Sequence, residues 1–158
     1  MRRSRRSRGQ QEMSNGASVE RDILEDFVSR IRHIVGDEAS VEPTGNGYDV
    51  MPTNPDALAM FVGSDEVWLQ FRAGQFGGRW ELSLSDERDA RFAQDIASAV
   101  IDGRVQERFG RRRSMVIVTR DDGSTFSEVG YASLRSSLIP DPRWMTEGRL
   151  VQYEPYAS

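Results

Sequence analysis

The sequence predicts an α+β fold: a single domain in which an antiparallel β-sheet is covered on one face by two helices. Three observations point there. Two segments repeat apolar residues at three-and-four spacing, the stretches DEVWLQFR and GGRWELSL alternate strictly, and glycine, proline and Asp-Gly turn signals punctuate several short β-branched runs. At 158 residues, 37% hydrophobic and 29% charged, the chain is of a size and composition that builds one core.

The first helix is read from Ser18 to Gly36, where Ile23, Leu24, Phe27, Val28, Ile31, Ile34 and Val35 form one apolar face. Ser18 suits the N-cap, Glu20 and Asp22 complement the helix dipole, and Gly36 suits a left-handed C-terminus. From Ser40 to Gly63 three prolines and two interior glycines break the chain into short strands near Val41, at Tyr48 to Met51 and at Ala57 to Val62.

DEVWLQFR (65–72) and GGRWELSL (77–84) then form a hairpin around the loop AGQFGG. Pairing Arg72 with Arg79 sets Phe71 against Trp80, Leu69 against Leu82 and Val67 against Leu84, so the apolar sets coincide. A one-residue slip would place each apolar set against a polar one, which fixes the register. Ser85 is read as the cap of a second helix with Phe92, Ile96, Ala97, Ala99 and Val100 inward, stopped by Gly103. The run RSMVIVTR (113–120), the turn at Asp122-Gly123 and the return from Thr125 to Tyr131 make a second hairpin. After Leu138, prolines and the aromatics Trp144, Tyr153 and Tyr156 predict irregular chain clamped by aromatic packing, with one short strand at Arg149 to Tyr153.

Charge divides the chain. Residues 1–17 read as a disordered basic arm preceding the domain at 18–158. Within residues 1–12, Arg2, Arg3, Arg5, Arg6 and Arg8 against Glu12 sum to +4, so the chain's −4 leaves about −8 on residues 13–158. No apolar run reaches bilayer length and no apolar core follows the basic start, so a cytoplasmic protein with no membrane contact is expected.

Chemistry is harder to find. There is no cysteine and a single histidine, His33, so thiolate and zinc-type metal sites are not expected, and no cofactor is called for. Gly74, Gly77 and Gly78 are not followed by the Lys-Ser/Thr of a phosphate loop, and the chain has no lysine. Asp86, Glu87 and Asp89 lie in a helix's first turn and Asp121 and Asp122 in a tight turn, positions with structural reasons of their own. No catalytic residue is assigned.

The reading is therefore a non-catalytic protein-binding module, of the kind that neutralises a toxin or escorts a secreted protein, whose acidic body suits a basic partner. Its candidate binding residues are the polar face of the first hairpin: Trp68, Gln70, Arg72, Arg79 and Glu81, a combination of tryptophan and arginine typical of binding hot spots. The competing structural reading covers Trp68 with the C-terminal aromatics. The alternative function is nucleic-acid association through Arg2, Arg3, Arg5, Arg6 and Arg8 together with the segment holding Arg108, Arg111, Arg112 and Arg113, which would neutralise phosphates. The acidic body and the scarcity of interleaved aromatics weigh against it.

Overall fold

In the computed structural model, residues 22–65, 68–83, 85–138 and 140–157 are described. The Ser18 cap, the basic arm and the pairing of Val67 with Leu84 lie outside them. Helix α1, described over residues 22–35, buries Leu24, Phe27, Val28, Ile31 and Val35. Ile34, expected on the same stripe, is 62% exposed because it falls beyond the edge that Phe27 marks on the helix. Gly36 takes a positive φ of 51° and turns the chain into a short 3₁₀ turn at Gly36–Glu38.

Five strands follow as an uninterrupted antiparallel meander: β1 (Ala39–Thr44), β2 (Gly47–Pro52), β3 (Met60–Ser64), β4 (Leu69–Ala73) and β5 (Arg79–Leu82), in the order β1-β2-β3-β4-β5. Alternation sends Val50, Met60, Val62, Leu69, Phe71 and Leu82 inward. The β4–β5 register pairs Leu69 with Leu82, Phe71 with Trp80 and Arg72 with Arg79, as the hydrophobic pattern requires. Pro43 sits on β1, an edge strand, where a missing N–H costs no ladder bond to a further strand and blunts the edge.

Helix α2 (Glu87–Ile101) begins one residue later than the sequence suggested. Asp86, not Ser85, is the N-cap, its carboxylate accepting the Arg88 N–H at 2.8 Å. Asp89 reaches back to accept the Ser83 N–H at 2.8 Å, so the first turn's acids satisfy backbone donors on both sides of the cap. Gly103, at φ 69°, follows the helix end.

The remaining strands correct the expectation of one sheet. β6 (Val105–Gly110), β7 (Arg113–Thr119), β8 (Thr125–Tyr131) and β9 (Arg149–Gln152) form a second antiparallel sheet in the order β8-β7-β6-β9, with two four-residue helices, α3 (Leu134–Ser137) and α4 (Trp144–Glu147), on the connection into β9. Among the described residues no ladder joins the two sheets. Instead the glycine-rich tip of the β4–β5 hairpin docks onto the second sheet through side chains: Glu107 accepts the Gln75 N–H at 2.8 Å, Ser114 Oγ accepts the Gly77 N–H at 2.8 Å, and Glu128 accepts the Gly78 N–H at 3.0 Å. A Cβ at Gly130 would overlap the Phe76 carbonyl, so β8 needs glycine there to let the tip approach.

One hydrophobic cluster nonetheless runs through both helices and both sheets, including Val28, Phe71, Ile96, Val105 and Val116. Trp80 extends it as an aromatic seam, edge-on to Phe71 and to Phe126 at 6.1 Å each, with Phe92 4.6 Å beyond Phe126. The C-terminal tail closes the other end. Tyr156 is buried and donates to the Leu58 carbonyl at 2.8 Å, and Tyr153 donates to the fully buried Glu107 at 2.7 Å. Burial, reinforced by Glu107, pushes the Tyr153 hydroxyl well above its ordinary pKa.

Candidate partner-binding face

The outer face of the five-stranded sheet is built by the same alternation that fills the core. Along one cross-strand row, Glu42, Asp49, Phe61, Arg72 and Arg79 are successive neighbours, and along the next, Gly47, Gly63, Gln70 and Glu81. Gly47 and Gly63 leave a notch in the second row. A Cβ on either would press on the Phe61 ring, which fills the notch and is only 8% exposed although it lies outside the main hydrophobic cluster. The Arg72 guanidinium lies over this ring, 3.9 Å from its centroid.

Trp68 stands one residue before β4 and is 43% exposed. Its backbone N–H donates to Asp65 at 3.1 Å, and the other Asp65 oxygen accepts the Gln70 side-chain amide at 3.1 Å, so Gln70 is half-buried and locally engaged. Arg72, Arg79 and Glu81 are exposed. All five predicted residues thus belong to the β4–β5 hairpin, but they divide into two places. Trp68, Gln70 and Glu81 lie toward the β3–β4 turn, while Arg72 and Arg79 line a cleft of about 290 Å³ with Asp49, Met51, Phe61 and Gly77.

Beneath this cleft Glu128 holds the strand start. Its carboxylate accepts the N–H groups of Gly78 at 3.0 Å and Arg79 at 3.4 Å. Partial burial raises its pKa, against the opposing pull of those two backbone bonds and of the Arg79 charge.

The C-terminal aromatics do not cover Trp68. Trp144 packs against Gly110 and Arg113, Tyr153 engages Glu107, and Tyr156 reaches Leu58, all remote from the β3–β4 turn. The second basic segment is also largely structural. Arg113 is buried, with its guanidinium near the rings of Tyr131 and Trp144 and a hydrogen bond to the Ser136 carbonyl at 2.9 Å. Arg108 donates to the carbonyls of Thr146 and Gly148, which ties α4 to β6. Only Arg111 and Arg112, in the two-residue turn between β6 and β7, present exposed guanidinium groups from that run, and Arg112 takes a positive φ of 59° to make the turn. Arg2, Arg3, Arg5, Arg6 and Arg8 lie outside the described residues.

Sequence reasoning missed Phe61, Asp49, Met51 and Glu128. The only trace of the first was a glycine in each of two adjacent strands, a signal that reads as weak strand rather than as a seat for a ring. His33 is exposed on α1, and among the described residues no cluster of three or more His, Asp or Glu is placed to hold a metal ion. No helix among the described residues is long and apolar enough to cross a membrane. Comparison with protein-family models, with curated proteins and with solved structures gives no match, so the functional reading rests on this geometry.

Proposed function

We propose that the chain is a non-catalytic protein-binding module, of the toxin-neutralising or secretion-escort kind, and that it meets its partner with the outer face of the β4–β5 hairpin. The observation that carries this reading is Trp68, a large aromatic side chain that the fold leaves 43% exposed. It shares its hairpin with the exposed Arg72, Arg79 and Glu81. An exposed tryptophan keeps apolar surface in water at no gain to the monomer, whereas a partner that buries it gains that apolar area beside polar neighbours. Met51, 51% exposed on β2, adds apolar surface at the wall of the cleft. The acidic body favours a basic partner through long-range steering.

The test is to isolate the partner from native extract with the intact chain and to measure its affinity for wild type and Trp68→Ala by calorimetry. The reading predicts preserved melting and weakened binding. Unchanged affinity with a correctly folded variant would remove this face from the interface.

A further inference from the structure

Resting on that reading of the hairpin face, we propose that the cleft between Asp49 and Arg79 is a carboxylate-reading subsite, one that takes an Asp or Glu side chain from a segment of the protein partner. Arg72 and Arg79 are direct cross-strand partners, an arrangement in which like charges oppose each other and weaken the sheet unless something neutralises them. Among the described residues neither guanidinium has a carboxylate within ion-pair distance, although other arginines do: Arg91 with Glu87, Arg104 with Asp102 and Asp121, and Arg120 with Asp95. Glu128 feels the Arg79 charge, yet it engages this strand through one oxygen that accepts the backbone N–H groups of Gly78 and Arg79, and it makes no ion pair with the guanidinium.

The pair is also prepared for a ligand. The Arg72 guanidinium is held over the Phe61 ring, 3.9 Å from its centroid, and a guanidinium so held still carries N–H donors that can grip a carboxylate through two bonds. Phe61 is itself locked by its seat on Gly47 and Gly63, so little side-chain entropy remains to be lost on binding. A volume of about 290 Å³ accepts one side chain with its stem against Met51 and Phe61. Asp49 on the opposite wall repels a second acid and favours a donor, so the chemistry selected is a single carboxylate with a basic or amide group close by. This agrees with an acidic body that attracts a mainly basic partner: the overall charge steers, and the arginine pair reads one acid within the partner's surface.

The experiment follows backbone amide and arginine side-chain NMR signals of wild type, Arg72→Gln and Arg79→Gln during titration with the pentapeptide acetyl-Lys-Ala-Glu-Ala-Lys-amide. Its glutamine counterpart and inorganic phosphate are the comparison ligands. The expected result is saturable shifts at Arg72, Arg79, Gly74 and Gly77, roughly fivefold or more weaker for the glutamine peptide and absent in both variants, the size of effect that a charge-assisted pair gives. Equal response to the two peptides, shifts confined to Arg111 and Arg112, or phosphate binding at least as tight as the glutamate peptide would each overturn the subsite. The variants also separate this inference from the one beneath it. If Trp68→Ala abolishes binding of the isolated partner while Arg72→Gln and Arg79→Gln leave it intact, the face stands and the subsite fails. If the arginine variants abolish the peptide response while Trp68→Ala leaves the partner bound, the subsite stands and the role given to Trp68 fails.

Discussion

The two faces of the β4–β5 hairpin have nearly the same length of chain and opposite duties. On the inner face Leu69, Phe71 and Leu82 are 3%, 0% and 6% exposed, and Trp80 carries their packing across to Phe126 of the second sheet. On the outer face Arg72, Arg79 and Glu81 meet solvent, and the Phe61 ring of the neighbouring strand β3 lies under the Arg72 guanidinium rather than under a helix. The difference teaches where mutational cost should fall. Loss on the inner face removes burial that the folded state needs, and loss on the outer face, under the proposed function, removes only what a partner would use.

The largest effect is expected at Trp80. Trp80→Ala removes the ring that touches both Phe71 and Phe126, and because Trp80 is half-buried the cost should sit near the low end for aromatic truncation, about 3 kcal/mol. For a chain of this size that is a fall in Tm of roughly 6 to 12 °C. A Tm within a couple of degrees of wild type would mean that the seam between the sheets is not held by this ring.

Next in size is the hairpin tip. Gly130→Ala forces a methyl group onto the Phe76 carbonyl, so either β8 or the tip must shift, at about 1 to 3 kcal/mol. Gly45→Ala is the control, since nothing lies within 4 Å of a Cβ there, and it should leave thermal melting almost unchanged. Equal melting of the two variants would show that the tip is not clasped to the second sheet.

Trp68→Ala should behave in the reverse sense to Trp80→Ala. Its stability cost should stay within about 0.5 kcal/mol, the usual range for an exposed site, while partner affinity falls by about 2 kcal/mol, or roughly thirtyfold. A large loss of stability would place Trp68 with the inner face and end the contrast between the two.

How far the sequence reveals this contrast depends on what holds each part. The hairpin register was legible because Phe71 and Trp80 alternate with Arg72 and Arg79, and alternation is a backbone property that survives any tertiary context. The two long helices were legible for the same kind of reason, with the second cap misplaced from Asp86 to Ser85 because both side chains can accept a backbone N–H, whereas the one-turn helices α3 and α4 carry too short a pattern to be read. The division into two sheets was not legible. The joint is made by Glu107, Ser114 and Glu128 accepting backbone donors from a loop, and isolated polar residues within β-branched runs carry no sign of which distant backbone they will meet. Arg113 reads as a surface charge in the sequence because nothing local distinguishes it from Arg112; its burial depends on Tyr131, Trp144 and Ser136, brought up by the later chain. The hairpin face was legible residue by residue, but the cleft was not, since Phe61 and Asp49 join it only once β2 and β3 are laid beside β4.

The smallest effect, and the one that reports on the joint between the two faces, concerns Glu128. Its carboxyl is raised above the ordinary glutamate pKa chiefly by burial, while the N–H groups of Gly78 and Arg79 and the Arg79 charge pull the other way. A carboxyl whose pKa is higher in the folded than in the unfolded chain favours folding while it is protonated. That contribution is complete below the unfolded pKa and is lost as pH rises through the folded one. Glu128→Gln keeps an oxygen acceptor for the backbone and cannot ionise, so it should escape that loss. The difference in Tm, variant minus wild type, should therefore be more positive at pH 7 than at pH 4, by a degree or so given how much solvent screens the site. Melting both proteins across this window isolates the one group, because every other carboxylate titrates in both. Should the difference instead become more negative toward pH 7, the ionised carboxylate's hold on Gly78 and Arg79 outweighs its desolvation. Glu128 would then be the clamp that sets Arg79 at the mouth of the cleft, and its removal should weaken the pentapeptide response as well.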